Sequence, residues 1–418
     1  MKKIKFLKLC YIFIITVIFS ANVSIVYADD VDDEELLETQ DINEVVETIS
    51  NNVTEMPSTN SRRTVVYDRK SKTVLFGKNE DTKSAMASTT KIMTATIVLE
   101  NASLNEKVTV SSKAGGTGGS RLGLKKGDEA TVNDLLYGLM LRSGNDAAVA
   151  LAEHVGGSVS EFANKMNKKA EELGLVNTHF VTPHGLDNSE HYTTAYELAK
   201  LTDYALENSK FAEIVGTKFT TIYINNQPRQ ISNTNELLGV LNGVVGVKTG
   251  FTNNAGRCLV TETKREDLDI ITVVLGADTT KFRTKDSIAL IEYTYSNYRT
   301  VDLEEKIIEQ FNNWKNINQE RIKITQCKEK NLQLTIGEIE IKELPIRKDE
   351  IDDLQYEINA ISTIEAPVKQ WEKFGDITVK LNNEIIQSVE IINTTEIDRI
   401  TWKDYFKYLI KLQTTTIF

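Results

Sequence analysis

Between residues 63 and 297 the chain begins and ends in strand-like runs and is helical in between. Thr64-Val65-Val66-Tyr67 and Thr73-Val74-Leu75-Phe76 are β-branched and aromatic stretches joined by polar Asp68–Lys72, which predicts a hairpin. Strand character returns at Gly243–Lys248, Arg257–Thr263 and Leu268–Gly276, with Lys264–Asp267 as a polar turn. Apolar residues recur with helical period in Val132–Leu141, Ala147–Val155, Val159–Leu173 and Thr194–Asn208. Helices are also expected from about Thr89 to Glu100, with Ser88 at the start, and over Thr284–Asn297. Strands at both ends of such a unit bury their apolar faces best in one sheet. The expected class is therefore α+β: one antiparallel sheet flanked by helices, plus a helical lobe, over residues 61–298.

From about residue 300 the pattern changes. Ile322–Thr325, Leu332–Ile336, Ile339–Ile341, Leu354–Ile358, Ile377–Val379 and Ile385–Ile391 are short strand candidates with polar turns. They predict a small all-β sandwich domain over 299–396. Residues 397–418 follow as an amphipathic helix. Trp402, Tyr405, Phe406, Leu409 and Leu412 share one helical face, and Lys403, Lys407 and Lys411 lie away from it. A basic amphipathic helix of this kind suits a membrane surface. The competing reading packs it on the β domain.

Four lysines precede an apolar run from Leu9 to Phe19, and Val26-Tyr27-Ala28 offers a small-residue cleavage site. Residues 1–28 read as a secretory signal peptide. The alternative is an uncleaved anchor, since Leu9–Tyr27 is near spanning length. Net charge is −11. Removing residues 1–28, which hold four Lys and no acid, takes it to −15. Residues 29–60 hold eleven acids and no base, so only −4 belongs to 61–418. The acidity is that of a linker, read as a flexible spacer with some helix admissible in Glu34–Ile49. Nothing basic enough for nucleic acid remains.

Cys258 and Cys327 fall in different expected domains and are read as two free thiols or a disulfide of an exported protein. No C-x-x-C is present for metal or redox chemistry. His179, His184 and His191 have gaps that fit no usual zinc-helix spacing, so no metal is expected. Gly115–Gly127 lacks the G-K-[ST] ending of a phosphate loop and is read as a loop bordering the site.

Three motifs carry the chemistry: Ser88-Thr89-Thr90-Lys91, Ser143-Gly144-Asn145 and Lys248-Thr249-Gly250. A serine hydroxyl needs a base. Ser88 and Lys91, three residues apart at a helix start, present hydroxyl and amine on one face. A lysine serves as base only if its pKa falls, and burial and a second cation, Lys248, both push it down. Ser143 can relay a proton, and Asn145 can hydrogen-bond a substrate amide. Lys248, Thr249 and Gly250 sit on an expected edge strand. Such a strand can pair with an extended peptide, Thr249 can bind a carboxylate, and Gly250 permits close backbone approach.

With their flanks, these motifs resemble the low-molecular-weight penicillin-binding D-alanyl-D-alanine carboxypeptidases. The likeness includes Gly119–Leu124, Asp134–Leu139, Arg142–Ala148, Asn177–Phe180, Pro183–Asp187 and Gly246–Thr252, and covers 63–297 almost continuously. It implies a β-lactamase/transpeptidase-like domain without cofactor. It further implies Ser88 as acylated nucleophile, Lys91 as base, and Ser143 and Asn145 in proton relay and substrate holding. Lys248 and Thr249 would hold the substrate's terminal carboxylate, with Arg283 assisting. Gly250 would line the site, and the backbone N–H groups of Ser88 and Phe251 would form the oxyanion hole. Phe251 stands where some relatives have histidine, but only its backbone is needed. The expected substrates are peptidoglycan stem peptides ending in D-Ala-D-Ala, with β-lactams as covalent inhibitors, on the extracytoplasmic face of the membrane. Rival readings are a DD-endopeptidase on the same chemistry, a serine β-lactamase, against which no E-x-x-L-N segment is found, and a silent wall-binding protein.

Overall fold

A computed structural model describes residues 39–50 and 55–415. The leader expected over 1–28 lies outside the described residues. Strands β1 (Arg63–Asp68) and β2 (Thr73–Lys78) form the expected hairpin. A second, small sheet joins β3 (Lys107–Thr109), β4 (Glu129–Thr131), β5 (Phe219–Ile224) and β6 (Gln227–Ser232). Its β5–β6 hairpin breaks the helical stretch expected through residue 240, because Asn225-Asn226 supply the left-handed turn. Strands β7 (Val244–Thr252), β8 (Gly256–Arg265) and β9 (Leu268–Ala277) complete the main sheet. Its order is β2-β1-β9-β8-β7, antiparallel throughout. First and last strand groups thus meet between β1 and β9, and β7 is left at the edge.

Side chains alternate across this sheet and feed two cores. Val65, Tyr67, Val260, Ile271 and Val273 face the helical lobe, with Ile92, Met93, Leu135, Leu139 and Leu151. Val66, Leu259, Ile270 and Val274 face the other way, onto Ile288 and Ile291 of the helix Thr280–Asn297.

The acidic segment 29–60 is not all spacer. Thr39–Ser50 is a helix, and Ile42, Val45, Val46 and Ile49 lie at the spacing of one helical face. That stripe packs into the second core, where Ile42 is 1% exposed. The acids Asp41, Glu44 and Glu47 fall outside the stripe, so the composition is acidic while one face is apolar. Downstream, Asn60 and Ser61 donate backbone N–H bonds to Asp286 at 3.2 and 2.6 Å.

The C-terminal region is β-rich but not all-β. A four-stranded antiparallel sheet (Leu334–Ile336, Gln355–Ala360, Lys373–Leu381, Glu384–Asn393) shares a core with the helix Leu303–Asn318, through Leu303, Ile307 and Phe311. Glu343–Arg347 is a strand where Ile339–Ile341 was expected, paired with Tyr298–Asp302. Pro345 had masked it, since proline is confined to strand edges and one-sided pairs. The final helix, Trp402–Thr415, leaves Trp402, Tyr405, Phe406 and Leu409 exposed rather than packed on the β domain. No helix among the described residues is long and apolar enough to cross a membrane. Cys258 is buried and Cys327 half-buried, both as free thiols.

Candidate active site

Ser88 lies on the short 3-10 turn Ala87–Thr90 that leads into the helix Lys91–Asn101. Ala87 holds a left-handed φ of 48° just before it. Gly185 leaves room for that bend: its own φ is 89°, and a Cβ there would stand 1.9 Å from the Ala87 carbonyl oxygen. The turn packs against β7. A Cβ at Gly250 would lie 3.1 Å from the Ser88 nitrogen and 3.2 Å from that of Thr89. Glycine here lets the Ser88 N–H come up beside the edge strand, next to Phe251.

The Lys91 amine is fully buried. Its Nζ stands 2.6 Å from Ser88 Oγ, 2.7 Å from Asn145 Oδ1 and 2.9 Å from the His184 carbonyl oxygen. A neutral amine has two N–H bonds and one lone pair. The amide and carbonyl oxygens accept the two hydrogens, and the lone pair then faces the serine hydroxyl. That arrangement suits a base.

Asn145 opens the helix Asn145–Gly156, and Ser143 precedes it on a tight turn with φ of 57°. Asn145 Nδ2 donates to Gly118 O at 2.9 Å, and its backbone N–H to Ser120 O at 2.8 Å. Asp146 accepts the N–H groups of Leu122, Gly123 and Leu124 at 2.9, 2.8 and 2.9 Å. The glycine-rich loop is therefore bolted to the second motif and borders the site.

On β7, Lys248 is buried and donates to Thr249 O at 2.8 Å, and Thr249 Oγ1 is 2.7 Å from Thr234 Oγ1. The Phe251 ring turns outward onto the Arg257 guanidinium, 4.2 Å from the ring centroid. Arg283 lies in the helix Thr280–Asn297 and is buried in an ion pair with Glu236, which also accepts from Thr284 Oγ1. Ser88, Lys91, Asn145 and Gly250 converge closely, with Ser143 two residues from Asn145. Arg283 is linked to that group by way of Glu236, two residues from the Thr234 that meets Thr249.

Sequence reasoning missed the histidines' part. His191 Nδ1 accepts the Val181 N–H at 2.9 Å, so its Nε2 carries hydrogen toward Thr90 Oγ1 at 2.8 Å. Burial pushes His191 down to about 4 and His184 to about 3. They are neutral braces of the Ser88 turn. Among the described residues no group of three or more His, Cys, Asp or Glu is arranged for a metal. Histidine spacing along the chain pointed to neither role. Thr234 and Glu236 carried no signal beyond lying near an expected strand.

Residues 50–279 match the peptidase S11 family, described as D-alanyl-D-alanine carboxypeptidase. The chain belongs to that family. Among its relatives is D-alanyl-D-alanine carboxypeptidase DacF of Bacillus subtilis, 34% identical over 332 residues, covering 78% of this chain and 83% of that protein. D-alanyl-D-alanine carboxypeptidase of Streptomyces sp. K15 is 38% identical over 242 residues, covering 54% and 83%. The crystal structure of penicillin binding protein 5 from Haemophilus influenzae superposes with a TM-score of 0.66 at 26% identity, covering 83% of this chain and 100% of that one.

Proposed function

We propose that the protein is a serine D-alanyl-D-alanine carboxypeptidase that trims peptidoglycan stem peptides through an acyl-enzyme on Ser88. The observation that carries this is the Lys91 amine, 2.6 Å from Ser88 Oγ with two oxygens holding its other positions. Ser88 Oγ attacks the carbonyl carbon of the penultimate D-alanine as Lys91 takes its proton. The backbone N–H groups of Ser88 and Phe251 receive the developing oxyanion. The peptide C–N bond then breaks, and Lys91 returns the proton to the leaving amine by way of Ser143. The terminal D-alanine departs. Water attacks the Ser88 ester, releases the shortened peptide and restores the hydroxyl. Asn145 holds the substrate amide, β7 pairs with its backbone, and Lys248, Thr249 and Arg283 receive its terminal carboxylate. A β-lactam acylates the same serine.

The enzyme acts outside the cytoplasm, with Trp402–Thr415 on the membrane surface. The exposed Trp402, Tyr405, Phe406 and Leu409 face, with lysines beside it, supports this. The test is intact-mass analysis after incubation with penicillin, alongside D-alanine release from a D-Ala-D-Ala pentapeptide. A Ser88→Ala variant that still releases D-alanine at the wild-type rate would sink the mechanism.

A further inference from the structure

Arg283 and Glu236 form a pair whose side chains are only 3% and 4% exposed. Contact is end-on. One guanidinium nitrogen, Nη2, meets one carboxylate oxygen, Oε1, which also accepts from Thr284 Oγ1. Arg283 Nε and Glu236 Oε2 find no hydrogen-bond partner among the described residues. A buried pair that leaves a donor and an acceptor unmet holds less tightly than a forked one. Glu236 lies two residues from Thr234, whose hydroxyl is 2.7 Å from that of Thr249. Cation and competing anion are therefore joined to the Lys248–Gly250 strand through the short 234–236 segment.

Resting on the carboxypeptidase reading above, we infer that Glu236 is a specificity-determining residue. It occupies the Arg283 guanidinium that a ligand's free carboxylate needs, and so lowers the enzyme's preference for carboxylate-terminated chains over neutral ones. An incoming carboxylate must take the arginine from Glu236, while an amidated or extended chain end meets no such contest. No bond is made or broken in this step. Two anions compete for one cation.

The test compares a D-Ala-D-Ala pentapeptide with its C-terminal amide, and penicillin with its methyl ester. In Glu236→Gln, KM for the free pentapeptide should fall about tenfold with kcat little changed, as one competing charge is removed. The amide's KM should stay as in wild type. Thr284→Val removes one of the two donors to Glu236 and leaves its charge in place. Without that donor Glu236 leans harder on Arg283, so the same ratio should move in the opposite direction by about threefold, and this variant covers the case in which Glu236→Gln fails to fold. Equal shifts for charged and neutral ligands in either variant, or a higher KM for the free pentapeptide in Glu236→Gln, would make Glu236 a mere support for Arg283 and overturn the inference. A wild-type protein that takes up penicillin but releases no D-alanine would sink the carboxypeptidase reading alone. The penicillin-to-ester ratio in the variants would still decide the role of Glu236.

Discussion

Lys91 Nζ and Asn145 Oδ1 are 2.7 Å apart, and the same asparagine's Nδ2 reaches Gly118 O at 2.9 Å. One side chain thus fixes both the amine beside Ser88 and the loop bordering the site. Asn145→Ala should slow acylation by penicillin about a hundredfold, as loss of a positioning hydrogen bond does in a preorganised site. It should also expose residues 118–124 to faster proteolysis. Stopped-flow acylation and limited digestion would show both effects, and an unchanged rate would remove Asn145 from the site.

Lys91→Arg keeps a long basic side chain but cannot give up its proton near neutrality. Acylation should fall by about a thousandfold or more, the scale on which a positioned base contributes together with its nucleophile. Thermal unfolding should confirm that the variant folds. A rate within tenfold of wild type would point to another base.

Gly250→Ala places a methyl 3.1 Å from the Ser88 nitrogen and 3.2 Å from that of Thr89. The contact is with backbone, which yields poorly. The expected result is acylation slowed about tenfold or more by displacement of an oxyanion donor, with stability lowered by about 1–2 kcal/mol. Parallel measurement of acylation rate and Tm separates the two. A large Tm loss without a rate effect would argue against the Ser88 N–H as donor.

His191 titrates near 6.5 in the unfolded chain and at about 4 when buried beneath Thr90. The unfolded chain binds more protons between those values. Its contribution is therefore whole above about pH 6.5 and is lost as the pH falls toward 4, amounting to roughly 3 kcal/mol at most. His184, lowered to about 3, acts with the same sign. Glu262, raised to about 7 chiefly by burial, acts oppositely and gives stability below about pH 4.5 that is lost as pH rises through 7. Denaturant melts of wild type and His191→Asn from pH 4 to 7 isolate the histidine. Parallel curves would contradict its burial as a neutral ring.

Replacing Lys403, Lys407 and Lys411 together with Glu should weaken binding to anionic lipid vesicles by a hundredfold or more, at about 1 kcal/mol for each lysine lost near a charged surface. Pentapeptide turnover in solution should not change. Vesicle co-sedimentation tests the first and D-alanine release the second. Undiminished binding would remove the helix from the membrane surface.

Much of the fold was legible because its signals are local. The β1–β2 hairpin, the β7–β9 strands and the helix Val132–Leu141 announce themselves in period and turn residues. The helix Thr39–Ser50 falls where some helix was admitted, but its acids hid the four-residue apolar stripe that packs it on the domain. The β5–β6 hairpin was read through as helix, and the strand around Pro345 was lost to its proline. At the site, motif order revealed Ser88, Lys91, Asn145 and Lys248, since each reactive group has few substitutes. The His184 carbonyl, the His191 brace and the Glu236 counter-charge were not legible. A main-chain oxygen has no letter in the sequence, and a pairing across 47 residues leaves no local trace.

The pairing of β1 with β9, which sets Arg63 against Leu275, has a temporal side. Ser88 and Lys91 are made early in synthesis, but the strand that walls them, β7, is finished only at residue 252. The sheet cannot close until β9 has followed. A chain grown to residue 240 already carries Ser88, Lys91 and the Asn145 and His184 oxygens that hold the amine, but not the strand that closes the site over them. The wall of the site is thus its last part to be made, and the order of synthesis puts the Ser88–Lys91 pair on the chain well before the strand that flanks it.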